Sequence, residues 1–127
     1  MIHDAEQLVG VVRGALLEKK GLDPAILDVR GLSSVTDFFV IVSGGSPPHL
    51  KALASEVRAR AHEAGYVKGR VEGDPASGWV VLDLGDAVVH VFLPATRAYY
   101  ALEELWNDAP RWDDIPPRKA PRRSESK

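Results

Sequence analysis

Two runs of β-forming residues, 79–84 and 87–93, are separated by only two residues, Gly85-Asp86. A two-residue loop with glycine first predicts a tight hairpin. The loop also sets the register, because a slip of one residue would exchange the two faces. Leu84 then pairs with Ala87, Leu82 with Val89 and Val80 with Val91. That face is wholly aliphatic and belongs on a core. The opposite face sets Trp79 across from Phe92, Val81 across from His90 and Asp83 across from Val88. Aromatic, aliphatic, acidic and imidazole groups are mixed there. Two readings of this second face stand open. A helix covers it, with His90 and Asp83 satisfied at the edge; or it meets a partner, with Trp79 as anchor and Asp83 as charge contact, since aromatic residues dominate interface energies.

The rest of the chain supplies helices to cover such a sheet. Asp4 is placed to cap a first helix, with apolar residues Leu8, Val9, Val12 and Leu16 at helical spacing and Gly21 as the stop. Residues 25–30 read as a short strand after the Asp23-Pro24 turn. Residues 36–43 read as a second strand, apolar on both faces and so covered on both sides. Gly44-Gly45 breaks it. Ser46 caps the next helix and Pro47 occupies its first position, where proline is favoured. Leu50, Leu53, Ala54, Val57, Ala61 and Ala64 form its apolar stripe, and Gly65 ends it. Residues 66–72 read as a weak strand or an extended loop, and residues 73–78 as a turn. A last helix starts at Pro94 or Thr96, with Tyr99, Leu102, Leu105 and Trp106 facing inward. The strand–helix–strand crossover implies parallel pairing and the hairpin adds antiparallel pairing. The expected fold is α/β, a mixed sheet covered by helices.

The 127 residues suffice for one core. From Pro110 the composition turns to proline among charges with no apolar period. A domain of residues 1–108 is expected, followed by a disordered basic, proline-containing tail, 109–127. Residues 1–109 hold 10 Lys/Arg and 15 Asp/Glu, a net −5; residues 110–127 hold 6 and 3, a net +3. An acidic domain binds phosphate poorly and suits a basic protein partner. The absence of cysteine excludes disulfides and thiolate zinc sites. No apolar run is long enough to span a bilayer, and the N-terminus lacks the basic and apolar segments of a signal peptide. A cytoplasmic location and no membrane partner are expected.

Chemistry finds little support in the pattern. Gly44-Gly45-Ser46 before a helix is a phosphate-cradle candidate. A strand–Gly-Ser–helix entry is also similar to that of nucleotidyltransferases. Those enzymes need two or three carboxylates on neighbouring strands to hold magnesium. Here the close acidic pair is Asp83 and Asp86, with Asp86 in the loop. The four histidines, His3, His49, His62 and His90, show no ligand spacing, and no serine has a nearby histidine and orienting acid. No catalytic set, metal site or cofactor is expected. A minimal metal-dependent nucleotidyltransferase is the alternative reading. The tail's Arg118-Lys119 and Arg122-Arg123 admit loose RNA contact without requiring it.

Several segments together resemble the ribosomal silencing factor, or Iojap-like, family. They are Ser33-Ser34-Val35-Thr36-Asp37-Phe38-Phe39-Val40-Ile41 with Ser43-Gly44 and Ser46; Glu72-Gly73, Trp79, Asp83-Leu84-Gly85-Asp86 and Val89-His90-Val91-Phe92; and Arg97, Tyr100 and Leu102-Glu103-Glu104-Leu105-Trp106. The resemblance covers residues 4 to about 106. It implies a nucleotidyltransferase-like fold without the catalytic carboxylates. It implies binding to the large ribosomal subunit through ribosomal protein L-fourteen, steric exclusion of the small subunit, and reduced translation under nutrient limitation. By matching positions it implies Trp79, Asp83, Asp86 and His90 nearest the contact, with Glu72, Asp74 and Phe92 around them. Pairing as a homodimer when free is compatible with this reading.

Overall fold

The computed structural model describes residues 4–66 and 69–112. Its elements run α1 (Ala5–Glu18), β1 (Leu22–Asp28), β2 (Phe38–Ser43), α2 (Pro47–Glu63), β3 (Arg70–Asp74), β4 (Trp79–Asp83), β5 (Ala87–Phe92), α3 (Pro94–Tyr100) and α4 (Leu102–Leu105). A short 3-10 turn, Pro75–Ser77, joins β3 to β4. The sheet order is β1-β2-β5-β4-β3, with β2 and β5 parallel and every other pair antiparallel. The mixed sheet expected from the crossover and the hairpin is therefore present.

The hairpin register is the one its loop dictates: Val80 pairs with Val91, Leu82 with Val89, Trp79 with Phe92, Val81 with His90 and Asp83 with Val88. Gly85 takes φ +87°, a conformation that strains residues carrying a Cβ. The Thr36 hydroxyl donates to the Gly85 carbonyl at 2.9 Å, tying the loop to the entry of β2. The aliphatic face meets α1 and α2. Val80, Leu82, Leu84, Val89 and Val91 pack there with Phe38, Val40 and Val42 of β2 and the stripes Leu8/Val12/Leu16 and Leu50/Leu53/Val57. α2 begins as read: the Ser46 hydroxyl accepts from the His49 N–H, and Pro47 opens the helix.

β1 starts earlier than read, at Leu22, and takes in the Asp23-Pro24 pair read as a turn, while β3 runs Arg70–Asp74 into the segment read as a turn. Three further details depart from the sequence reading. First, α1 ends through Lys20, not Gly21: Lys20 takes the left-handed conformation at φ +61°. Gly21 is needed for space, because a Cβ there would lie 2.8 Å from Val42 Cγ2. Second, residues 94–106 do not form one helix. Ala101 turns left-handed at φ +49° and splits the segment into α3 and α4. Tyr99 and Leu105 consequently face solvent, at 81% and 73% exposure, while Leu102 and Trp106 pack inward. Third, the packed chain continues beyond residue 108. The Asp28 N–H donates to the Pro110 carbonyl at 2.9 Å, and the Trp112 N–H donates to the Ile26 carbonyl at 2.8 Å. Leu27 and Arg111 form an antiparallel bridge, and Trp112 meets the Phe38 ring edge-on at 5.8 Å. The reading of a tail falls, from residue 113 onward, outside the described residues.

Candidate interaction face

The second face of the sheet carries most of the residues singled out from sequence. Strand registers place Glu72 and Asp74 of β3, Trp79 and Asp83 of β4, and His90 and Phe92 of β5 on that one side. Asp86 stands exposed in the hairpin loop beside them. The face is neither fully covered nor fully open. α3, α4 and residue Ala109 cover only part of it. Leu27, Val29, Ile41 and Phe92 are sealed beneath, with Ala109 buried against them, whereas Phe39, Trp79, Leu102 and Trp106 remain partly buried at the margin.

Phe92 is a correction to the expected contact set. It is fully buried, with its ring 5.0 Å from Trp79 and 6.5 Å from Tyr100. A side chain with no exposure supports the face from below and cannot touch a partner without rearrangement. Trp79 is the pivot above it. Its ring lies 4.5 Å from Tyr100 and 6.0 Å from His90. Its indole N–H donates to His90 Nδ1 at 3.2 Å. That bond needs the Nδ1 lone pair, so the imidazole is neutral with its proton on Nε2. Burial holds His90 at a pKa of about 4, well below the ordinary 6.5. The partner that satisfies His90 is thus the cross-strand tryptophan.

Phe39, Ile41, Trp79, His90, Leu102 and Trp106 enclose a cavity of about 260 Å³. Phe39 meets Trp106 at 5.1 Å and His90 at 5.7 Å. Phe39 and Trp106 were not among the expected contact residues. Their place depends on the parallel β2–β5 pairing and on the return of α4, both long-range. The signal available for Phe39 was its strand, apolar on both faces.

The acidic residues rim this aromatic patch. Glu72 is exposed and pairs with Arg70 at 3.2 Å. The exposed Asp74 carboxylate accepts from the Ala76 N–H at 3.0 Å, and that of Asp83 from the Gly85 N–H at 2.9 Å. Both are fixed locally yet keep free oxygen lone pairs. Among the described residues, no three His, Asp or Glu side chains are grouped to hold a metal ion. No described helix is long and apolar enough to cross a membrane. Arg97 pins the covering segment to the sheet. Its guanidinium donates two bonds to the Glu103 carboxylate, at 2.8 and 3.0 Å, and one to the Ser43 hydroxyl at 3.1 Å. That hydrogen bonding holds the Glu103 carboxyl below its usual range.

Comparison with known proteins places this architecture in context. Residues 2–127 match the family model described as ribosomal silencing factor during starvation. A protein of Halalkalibacterium halodurans named ribosomal silencing factor is 42% identical over 105 residues, which cover 83% of this chain and 90% of that relative. A mouse protein named mitochondrial assembly of ribosomal large subunit protein 1 is 34% identical over 108 residues, covering 81% of this chain and 45% of that protein. The crystal structure of a protein from Chromobacterium violaceum superimposes with a TM-score of 0.78 at 37% identity, covering 82% of this chain and 87% of that one.

Proposed function

The chain belongs to the ribosomal silencing factor family, and from that premise we propose that it represses translation by docking on the large ribosomal subunit. In this reading ribosomal protein L-fourteen is the contact, and the bulk of the bound domain excludes the small subunit. No bond is made or broken; the protein acts by affinity and occupancy, without cofactor or metal.

The observation that carries the reading is the half-covered aromatic patch of Trp79, Tyr100, Phe39 and Trp106, rimmed by Glu72, Asp74, Asp83 and Asp86. An apolar centre with an acidic rim suits a basic protein surface. The aromatic groups supply buried contact area, and the carboxylates steer the encounter and set orientation. A mouse relative named for assembly of the large ribosomal subunit supports the same subunit as target.

The test is the affinity of Trp79→Ala for purified large subunits and for isolated L-fourteen, alongside its melting temperature. Loss of the anchor should weaken binding by ~2–4 kcal/mol, roughly 30- to 1,000-fold. Glu72→Lys, at an exposed rim position, should chiefly slow association and change its salt dependence. A folded Trp79→Ala protein that binds both targets with unchanged affinity would falsify the docking face.

A further inference from the structure

The opposite side of the molecule holds a groove that the docking reading does not use. It runs between α2 and the edge of the sheet, with a volume of about 580 Å³. Lys51, Arg58 and His62 of α2 form one wall; Val71, Gly73 and Pro75 form the other, and Ala54 and Val80 lie in the floor. The floor and the far wall are largely apolar, and Val71 is 42% exposed there. β3 is an edge strand whose five residues are all exposed.

The arginines of this domain are mostly neutralised. Arg30 pairs with Asp28 and Glu6, Arg60 with Glu18 and Glu56, Arg70 with Glu72, and Arg97 with Glu103. Arg13 and Arg58 differ. Neither makes an ion pair among the described residues, and each has a buried guanidinium nitrogen without a hydrogen-bond partner, Nη1 of Arg13 and Nε of Arg58; of the two, Arg58 lines the groove. A desolvated guanidinium N–H without an acceptor is costly, and an anion that met it through a shift of the partly exposed Arg58 side chain would satisfy it. Lys51, Arg58 and His62 follow at i, i+7 and i+11 on one helix face, a line of roughly 16 Å at 1.5 Å per residue. An extended chain of about five residues has that length. Arg58 and His62 are about 6 Å apart along the axis, close to the ~6.8 Å repeat of side chains on one side of such a chain.

We propose that this groove binds an extended acidic peptide segment of a partner protein, its carboxylates on Arg58, Lys51 and His62 and its alternate apolar side chains against Val71 and Val80. Nucleic acid fits less well, because the far wall offers apolar contact in place of phosphate ligands. The groove lies on the helix-bearing side of the sheet, so it and the aromatic patch can be occupied together.

Fluorescence polarisation tests the proposal with the whole chain and a labelled Glu-Leu-Glu-Leu-Glu peptide. Amide shifts of α2 and β3 would locate the binding. Arg58→Gln should weaken binding about tenfold, the loss of one charge-assisted contact. Lys51→Gln, at an exposed position, guards against a folding artefact and should weaken it about threefold by loss of a partly solvated charge contact. A Lys-Leu-Lys-Leu-Lys peptide should not bind. The proposal is overturned if the glutamate peptide fails to bind, if Arg58→Gln binds it equally well, or if the lysine peptide or an oligouridylate binds the groove more tightly.

Discussion

The two faces of the sheet are built from the same strands yet sealed to different degrees. On one, aliphatic residues of β2, β4 and β5 meet two helices of 14 and 17 residues. On the other, aromatic residues meet two short helices of seven and four residues, broken at Ala101. Short helices have little intrinsic stability and depend on what they pack against. The lesson is a division of labour within one sheet. The first face holds the fold, and the second leaves ring edges available while still anchoring Leu102, Trp106 and Ala109.

The sharpest way to test that division is to remove volume from the sealed face. Leu82 is fully buried there. Leu82→Ala should destabilise the domain by ~2–5 kcal/mol through lost transfer energy and a residual cavity. Chemical denaturation would measure it. A loss below 1 kcal/mol would mean that this face is less tightly packed than described.

A second test uses the imidazole on the other face. Folded His90 stays neutral down to a pKa of about 4, whereas the unfolded chain protonates near 6.5. Between those values the unfolded chain binds more protons. Stability should therefore be complete above pH 6.5 and fall as pH drops toward 4, by about 3 kcal/mol from this group. Protonating Nδ1 also removes the acceptor for the Trp79 indole. His90→Gln should flatten the pH profile in that window; an unaltered profile would show that His90 titrates without linkage to folding.

The smallest effect concerns the break itself. Ala101 sits at φ +49°, where glycine has no Cβ penalty. Ala101→Gly should raise stability by ~0.5–1 kcal/mol, read as a small increase in melting temperature. A decrease would show that rigidity of the free chain outweighs the strain.

How far the sequence could be read follows from the range of each signal. A two-residue loop determines β4–β5 pairing locally, and a serine cap followed by proline determines the start of α2. Both are short-range, and both appear as read. The split of α3 from α4 has no such signal: alanine is the strongest helix former, and the period of Tyr99, Leu102 and Trp106 runs on through it. The strap at residues 109–112 was hidden for the opposite reason, because one tryptophan among prolines and charges offers no period. For the candidate face, alternation identified which side Trp79, Asp83 and His90 occupy. Alternation does not show how much of that side is covered, so it sets Phe92 with the surface and carries no signal for Phe39 or Trp106 as contact residues.

That strap has a consequence for how copies of the chain can meet. By occupying the Asp28 N–H and the Ile26 carbonyl, residues 110–112 cap the outer edge of β1 along its C-terminal half. Among the described residues, the sheet thus has one border shielded along half its length and one open border, at β3. An unshielded border on each side would let copies add end to end without limit. Pairing through β3 uses up the fully open border of both copies and leaves only the N-terminal half of β1, too short a template for continued sheet extension.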